Sequence, residues 1–206
     1  MRFRINHTFV LFLLLTIAAV SVQPALAQGS VQPATPAERP LRAELALDYS
    51  YLHSNAPPGG CGCFNLNGGG ATFAWAIVPG KWDIVGDIVA DHASNISAAG
   101  YGLTLSAYTA GVRYIPPFHT PSLQPFGQVL VGLAHSSGTL VQAPNAGAAN
   151  AGAAFASNLG GGFDLNVNRR FSIRIIEADY LVTTFNNGVN NRQNNTRISA
   201  GIVVHF

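Results

Sequence analysis

From Leu41 to Phe206, apolar side chains return at every second position in run after run. A period of two puts successive side chains on opposite faces of an extended strand, whereas a helix would scatter the same residues around its circumference. The first run sets Leu41, Ala43, Leu45, Leu47, Tyr49 and Tyr51 against Arg42, Glu44, Ala46, Asp48 and Ser50. Seven further runs are predicted over about 70–78, 82–92, 102–115, 125–135, 154–166, 171–183 and 196–206. In each, Leu, Ile, Val and aromatic residues oppose small, polar or charged ones. Trp82, Ile84 and Ile88 oppose Asp83, Asp87 and Asp91, and Ile198, Ile202, Val204 and Phe206 oppose Arg197, Ser199, Gly201 and His205.

The joins between runs alternate in character. After odd runs they are longer and polar (54–69, 93–101, 136–153 and 184–195). After even runs two are tight, at Pro79-Gly80 and Asn168-Arg169, and one, 116–124, is longer. Long joins at one end and short ones at the other describe an up-and-down transmembrane β-barrel, with external loops and periplasmic turns. Strands of about ten residues, tilted, suffice to cross the hydrocarbon layer. Closure leaves no backbone edge unpaired in lipid. The expected fold is all-β, an eight-stranded antiparallel up-and-down transmembrane barrel over 41–206.

Composition narrows the alternatives. Charged residues are 10% of the chain, hydrophobic ones 48%, and mean hydropathy is +0.24. Disorder needs the reverse balance. A nucleic-acid surface needs a basic patch, and outside Arg2 and Arg4 basic and acidic residues are equal in number. Neither class fits, and no nucleic-acid partner is expected.

Residues 1–27 read as a secretory signal peptide. Arg2 and Arg4 precede an apolar stretch from Phe9 to Val22, too short for a membrane-spanning helix, and Ala25-Leu26-Ala27 supplies small residues for cleavage. Residues 28–40, rich in Pro, Ala and polar residues, read as a periplasmic tether.

Which face points outward decides between a membrane barrel and a soluble, lipocalin-like one. Beyond Glu38 every acid falls on the polar parity, with glycines and small residues; the opposite face holds the bulk. Eight strands enclose room only for modest side chains, so the apolar face is assigned outward. Tyr49, Tyr51, Trp82, Tyr114, Phe163, Phe171 and Tyr180 then fall near strand ends as girdle residues. An interior charge network is expected from Arg42, Glu44, Asp48, Asp83, Asp87, Arg113, Asp164, Glu177, Asp179 and Arg197. With Asp91 the acids outnumber the arginines, so any current through the lumen is expected to favour cations weakly.

The chain resembles the outer-membrane protein A-like family of small eight-stranded barrels. Three features carry the likeness: a terminal alternating strand ending in Phe206, Thr109 to Tyr114 as the fourth strand, and the glycine-rich Asn158 to Asp164 as the sixth. The family often has an aromatic residue where Val204 stands, and 116–124 is long for a periplasmic turn. The resemblance implies a location in the cell outer membrane and contact with its lipid and lipopolysaccharide. It implies too that Ile202, Val204 and Phe206 form a signal read by the insertion machinery. It does not carry the wall-anchoring role of longer relatives, whose peptidoglycan-binding domain is no part of the match.

Chemistry is sparse. Cys61 and Cys63 read as a loop disulfide, with free thiols or intermolecular pairing as alternatives; two thiolates are too few for a structural zinc. His135 and Ser137 share a strand face and resemble the His-x-Ser arrangement of outer-membrane lipid A deacylases, without the Glu that completes that triad. The Ala/Gly/Asn tract 143–154 and the amide-rich 186–195 name no surface ligand. No metal or cofactor set is expected. The leading reading is a structural surface protein without catalysis. A narrow, weakly cation-preferring pore and a lipid A hydrolase using His135 and Ser137 are the alternatives.

Overall fold

A computed structural model describes residues 41–54, 64–94, 102–117, 120, 122–138, 152–185 and 191–206. Expectations for the leader, the tether and the Cys61–Cys63 pair lie outside them. Eight antiparallel strands form a closed barrel in chain order: β1 (Ala43–Ser54), β2 (Phe64–Val78), β3 (Trp82–Ala93), β4 (Leu103–Tyr114), β5 (Leu123–Gly138), β6 (Ala153–Asn166), β7 (Phe171–Thr183) and β8 (Gln193–His205). Closure is made by β1 and β8, paired from Glu44↔His205 to Ser54↔Asn195. The last residue takes part in the seam: the Phe206 amide donates to Ala43 O at 2.8 Å, and the Arg42 amide to Phe206 O at 2.8 Å.

The short-turn end is built from local chemistry. Gly80 supplies the left-handed conformation (φ 71°) that turns β2 into β3, and the Lys81 amide closes that turn onto Val78 O at 2.9 Å. Between β6 and β7 the Asn168 side-chain oxygen accepts the amides of Arg170 and Phe171, at 2.8 and 3.0 Å.

Several strands extend further than their alternation indicates, β2 and β5 among them. β2 begins at Phe64, not near residue 70, and β5 runs from Leu123 to Gly138. The cause is an inversion of polarity along the wall. Toward the short turns the pattern is apolar-out and polar-in: Leu47, Tyr49, Phe73, Ile84, Ile88, Tyr108, Val112 and Leu159 are exposed, while Asp83, Asp87, Thr109, Arg113 and Arg197 are buried. Toward the long connections it is reversed. There His53, Asn65, Asn67 and His92 face outward, while Leu52, Leu66, Leu103, Leu105 and Leu181 pack inside with Val89, Ala107, Ala134 and Ala156. Asn65, Asn67 and the glycines 68–70 resemble loop in sequence, yet their backbone pairs in register with β1 from Ser54↔Phe64 to Asp48↔Gly70.

The inverted section is therefore a small hydrophobic core in its own right. Leu66→Ala, at a fully buried position, is expected to lower the unfolding free energy of the refolded barrel by about 2–5 kcal/mol. The adjacent outward Asn65→Ala should cost under about 1 kcal/mol. Urea titration in lipid vesicles checks the pair, and equal losses would contradict the inversion.

Candidate functional site

The lumen holds the densest chemistry. Arg174 is fully buried; its Nε and Nη2 donate to the two oxygens of Asp164 at 2.9 and 3.2 Å, and its Nη1 donates to Glu177 at 2.7 Å. Arg113 donates from Nη1 to Glu44 and from Nε and Nη2 to Gln128 Oε1, at 3.2 and 3.1 Å. Gln128 passes the connection on, its Nε2 donating to Glu177 at 2.7 Å. Arg197 donates to Asp179 at 2.9 and 2.6 Å and to Asp87 at 3.1 Å, and Thr72 adds a hydrogen bond to Asp87 at 2.9 Å. Both the Arg113 and Arg174 guanidinium carbons lie over the Phe126 ring, 4.4 and 4.7 Å from its centroid. These residues come from all eight strands, so the network cross-ties the barrel from within.

Small residues give the network its space. A Cβ on Gly160 would stand 1.9 Å from an Asp179 oxygen, and one on Gly162 would stand 3.0 Å from Phe126 Cζ and 2.2 Å from Ile176 O. The glycine-rich part of β6 thus makes room for an acid on β7 and for the ring between the arginines.

Of the residues expected in this network, Glu44, Asp87, Arg113, Asp164, Glu177, Asp179 and Arg197 meet in ion pairs. Asp48 and Asp83 face the lumen with Asp91, but among the described residues none of the three has an arginine at ion-pair distance. Ser50 donates to Asp91. Arg42 stands outside the network. It precedes β1 and is exposed at the short-turn mouth, where its long side chain reaches water beside a cavity of about 160 Å³ also lined by Glu44, Asp83, Ile115, Gln124 and His205.

The third lumenal cation is Arg174, which alternation assigns to the outer face with Ile176. A bulge corrects the parity: Phe163 pairs with Ile176 and Asp164 with Arg174, so Ile175 is the extra residue and both isoleucines face outward. The adjacent Ile175-Ile176 in a strand of strict alternation is the one sequence signal for it.

His135 and Ser137 fall on the outer wall. His135 is exposed and pairs across the ladder with Ser106 and Ala153, and Ser137 pairs with Thr104. Every described carboxylate lies on the other side of the sheet, in the lumen. At the opposite end Trp75, Trp82, Phe171 and Phe206 are exposed on the outer wall, with Trp82 packed against Tyr114 at a tilt of 45°, 4.7 Å between centroids. Ile202 and Phe206 are exposed on that same wall and Val204 is half-buried.

An apolar, aromatic-bordered outside around a charged inside is the wall of a membrane barrel. No protein-family model matches the chain, and no curated protein matches its sequence. Solved structures do. Neisserial surface protein A superposes with a TM-score of 0.58 at 15% identity, covering 80% of this chain and 97% of that one. Ail, the attachment invasion locus protein of Yersinia pestis, superposes at 0.51 and 13% identity, covering 81% and 100%. The fold is that of the small eight-stranded outer-membrane barrels.

Arg174→Ala leaves Asp164 and Glu177 buried without their shared cation. Its expected cost is about 3–5 kcal/mol of barrel stability, whereas Arg42→Ala at the exposed mouth should stay within about 0.5 kcal/mol. Urea midpoints of the two variants in vesicles distinguish the placements, and a larger loss for Arg42→Ala would reverse the assignment.

Proposed function

We propose that this chain is a structural surface protein of the outer membrane, with no catalysis, whose long connections rather than its lumen meet the surroundings. The observation that carries this reading is a lumen filled at two levels. The ion network crosses it toward the short turns, and the leucine-rich cluster closes it toward the long connections. Such filling opposes solute passage, so the part left to interact is the outer surface.

The hydrolase alternative is disfavoured by geometry. A base beside a nucleophile needs a third group to orient it, and the outer wall around His135 and Ser137 offers no carboxylate among the described residues. The pore alternative rests on the excess of lumenal acids over arginines, which would make any leak cation-favouring. The outward face of Ile202, Val204 and Phe206, exposed at its first and last residues, suits docking to the insertion machinery, and the apolar belt suits outer-membrane lipid and lipopolysaccharide.

An epitope tag inserted within 139–151, between β5 and β6, is expected to bind antibody on intact cells. Labelling only after permeabilisation would overturn the surface orientation. In planar bilayers the refolded barrel is expected to be silent, and stepwise cation-selective current would favour the pore.

A further inference from the structure

The outward face of β1, β3 and β5 carries a repeated pattern. On each strand the lipid-facing positions are apolar, aromatic or glycine through the stretches 43–51, 82–90 and 125–133, and the next outward position is a histidine: His53, His92 and His135. Stretches of this length match the span a strand needs to cross the hydrocarbon layer. The three imidazoles therefore stand one step beyond it, at headgroup level on the long-connection side. All three are exposed.

Their surroundings are polar and almost free of charge. Across the ladder His53 faces Asn65 and Thr196, His92 faces Asn67 and Thr104, and His135 faces Ser106 and Ala153. Neighbours and connections supply no carboxylate, because every described acid is lumenal and 55–63, 95–101, 139–151 and 186–190 contain no Asp, Glu, Lys, Arg or His. Arg192, which bonds Asn194, is the permanent charge at this end. The other exposed cations among the described residues, Arg42, Lys81, Arg169 and Arg170, belong to the short-turn end.

Hydrogen bonding fixes how an imidazole here changes with protonation. His53 Nδ1 is 2.7 Å from Asn65 Oδ1, an acceptor only, so Nδ1 carries the proton and Nε2 presents a lone pair when the ring is neutral. Adding a proton turns Nε2 from acceptor to charged donor. His92 is anchored through Nδ1 as well, 2.8 Å from Thr104 Oγ1, a hydroxyl that serves either tautomer of the ring.

We propose that His53, His92 and His135 form a collar that binds the phosphate groups of lipid in the adjacent leaflet, and that it engages when the imidazoles are protonated. The inference rests on the outer-membrane reading above and adds to it a ligand chemistry and a condition. Phosphate accepts charge-assisted hydrogen bonds from imidazolium, and no carboxylate on this wall competes for them. With neutral rings the same collar is an uncharged polar surface.

The test uses the refolded chain, its histidines isotope-labelled, in maltoside micelles that contain no phosphate. Imidazole resonances are followed as lipid A is added at about pH 7.5 and about pH 5.5. Dephosphorylated lipid A and inorganic phosphate serve as separate arms. Lipid A is expected to bind more tightly at the lower pH, by about fivefold for each imidazole engaged, and the dephosphorylated lipid to show no such gain. The variant H53Q/H92Q/H135Q should lose the gain while still migrating as a boil-sensitive folded band on a gel. If it does not fold, H92Q alone should lose part of the gain. A gain that persists in these variants, or with the dephosphorylated lipid, overturns the proposal. Equal binding of inorganic phosphate overturns the assignment to lipid. A chain that yields no boil-sensitive barrel sinks the outer-membrane reading as well, whereas a folded barrel without pH-dependent binding sinks the collar alone.

Discussion

A wall one strand thick must satisfy three solvents with two faces. In hydrocarbon every backbone N–H and C=O has to be paired within the protein, so the sheet must close. With eight strands, closure leaves a lumen that side chains fill. The interior therefore cannot rely on bulk water to hold its charges, and it becomes a solvent to itself: guanidiniums, carboxylates, one amide, one hydroxyl and one ring, joined across all eight strands. The large residues are forced outward by the same shortage of room.

Burying ions costs heavily unless each meets a partner, and this explains the small residues around the network. The missing Cβ of Gly160 leaves space to Asp179, and that of Gly162 leaves it to the β7 backbone at Ile176 and to Phe126. The β7 bulge belongs to the same economy of space, since one extra isoleucine on the outer wall turns Arg174 inward between Asp164 and Glu177. Without it the acids of β6 and β7 would share two arginines in place of three.

Much of this was legible in the sequence because the period of two is rigid. Over Trp82 to Ala90 or Ile198 to Phe206 one parity faces lipid and the other the lumen, with no exception to confuse the pattern. Two things broke legibility. An inserted residue shifts parity without changing composition, so alternation puts Arg174 on the wrong face and offers Arg42, on the lumenal parity but beyond the strand, in its place. The reversal of polarity beyond the membrane defeated a reading that equates outward with apolar: Asn65 and Asn67 are outward because that part of the wall meets water. Gln128, the amide linking Arg113 to Glu177, carries no formal charge and gives alternation nothing to single out.

Beyond its lipid-facing stretch β5 continues from Ala134 to Gly138, which at strand rise and typical tilt lifts its end roughly 10 Å above the hydrocarbon. That raised rim, greasy inside and wet outside, works as a pedestal. Its leucine filling stands between the strand ends and the ion network. A barrel of this design would tolerate exchange of its long connections, because leucines and not charges occupy the lumen at the strand ends that carry them.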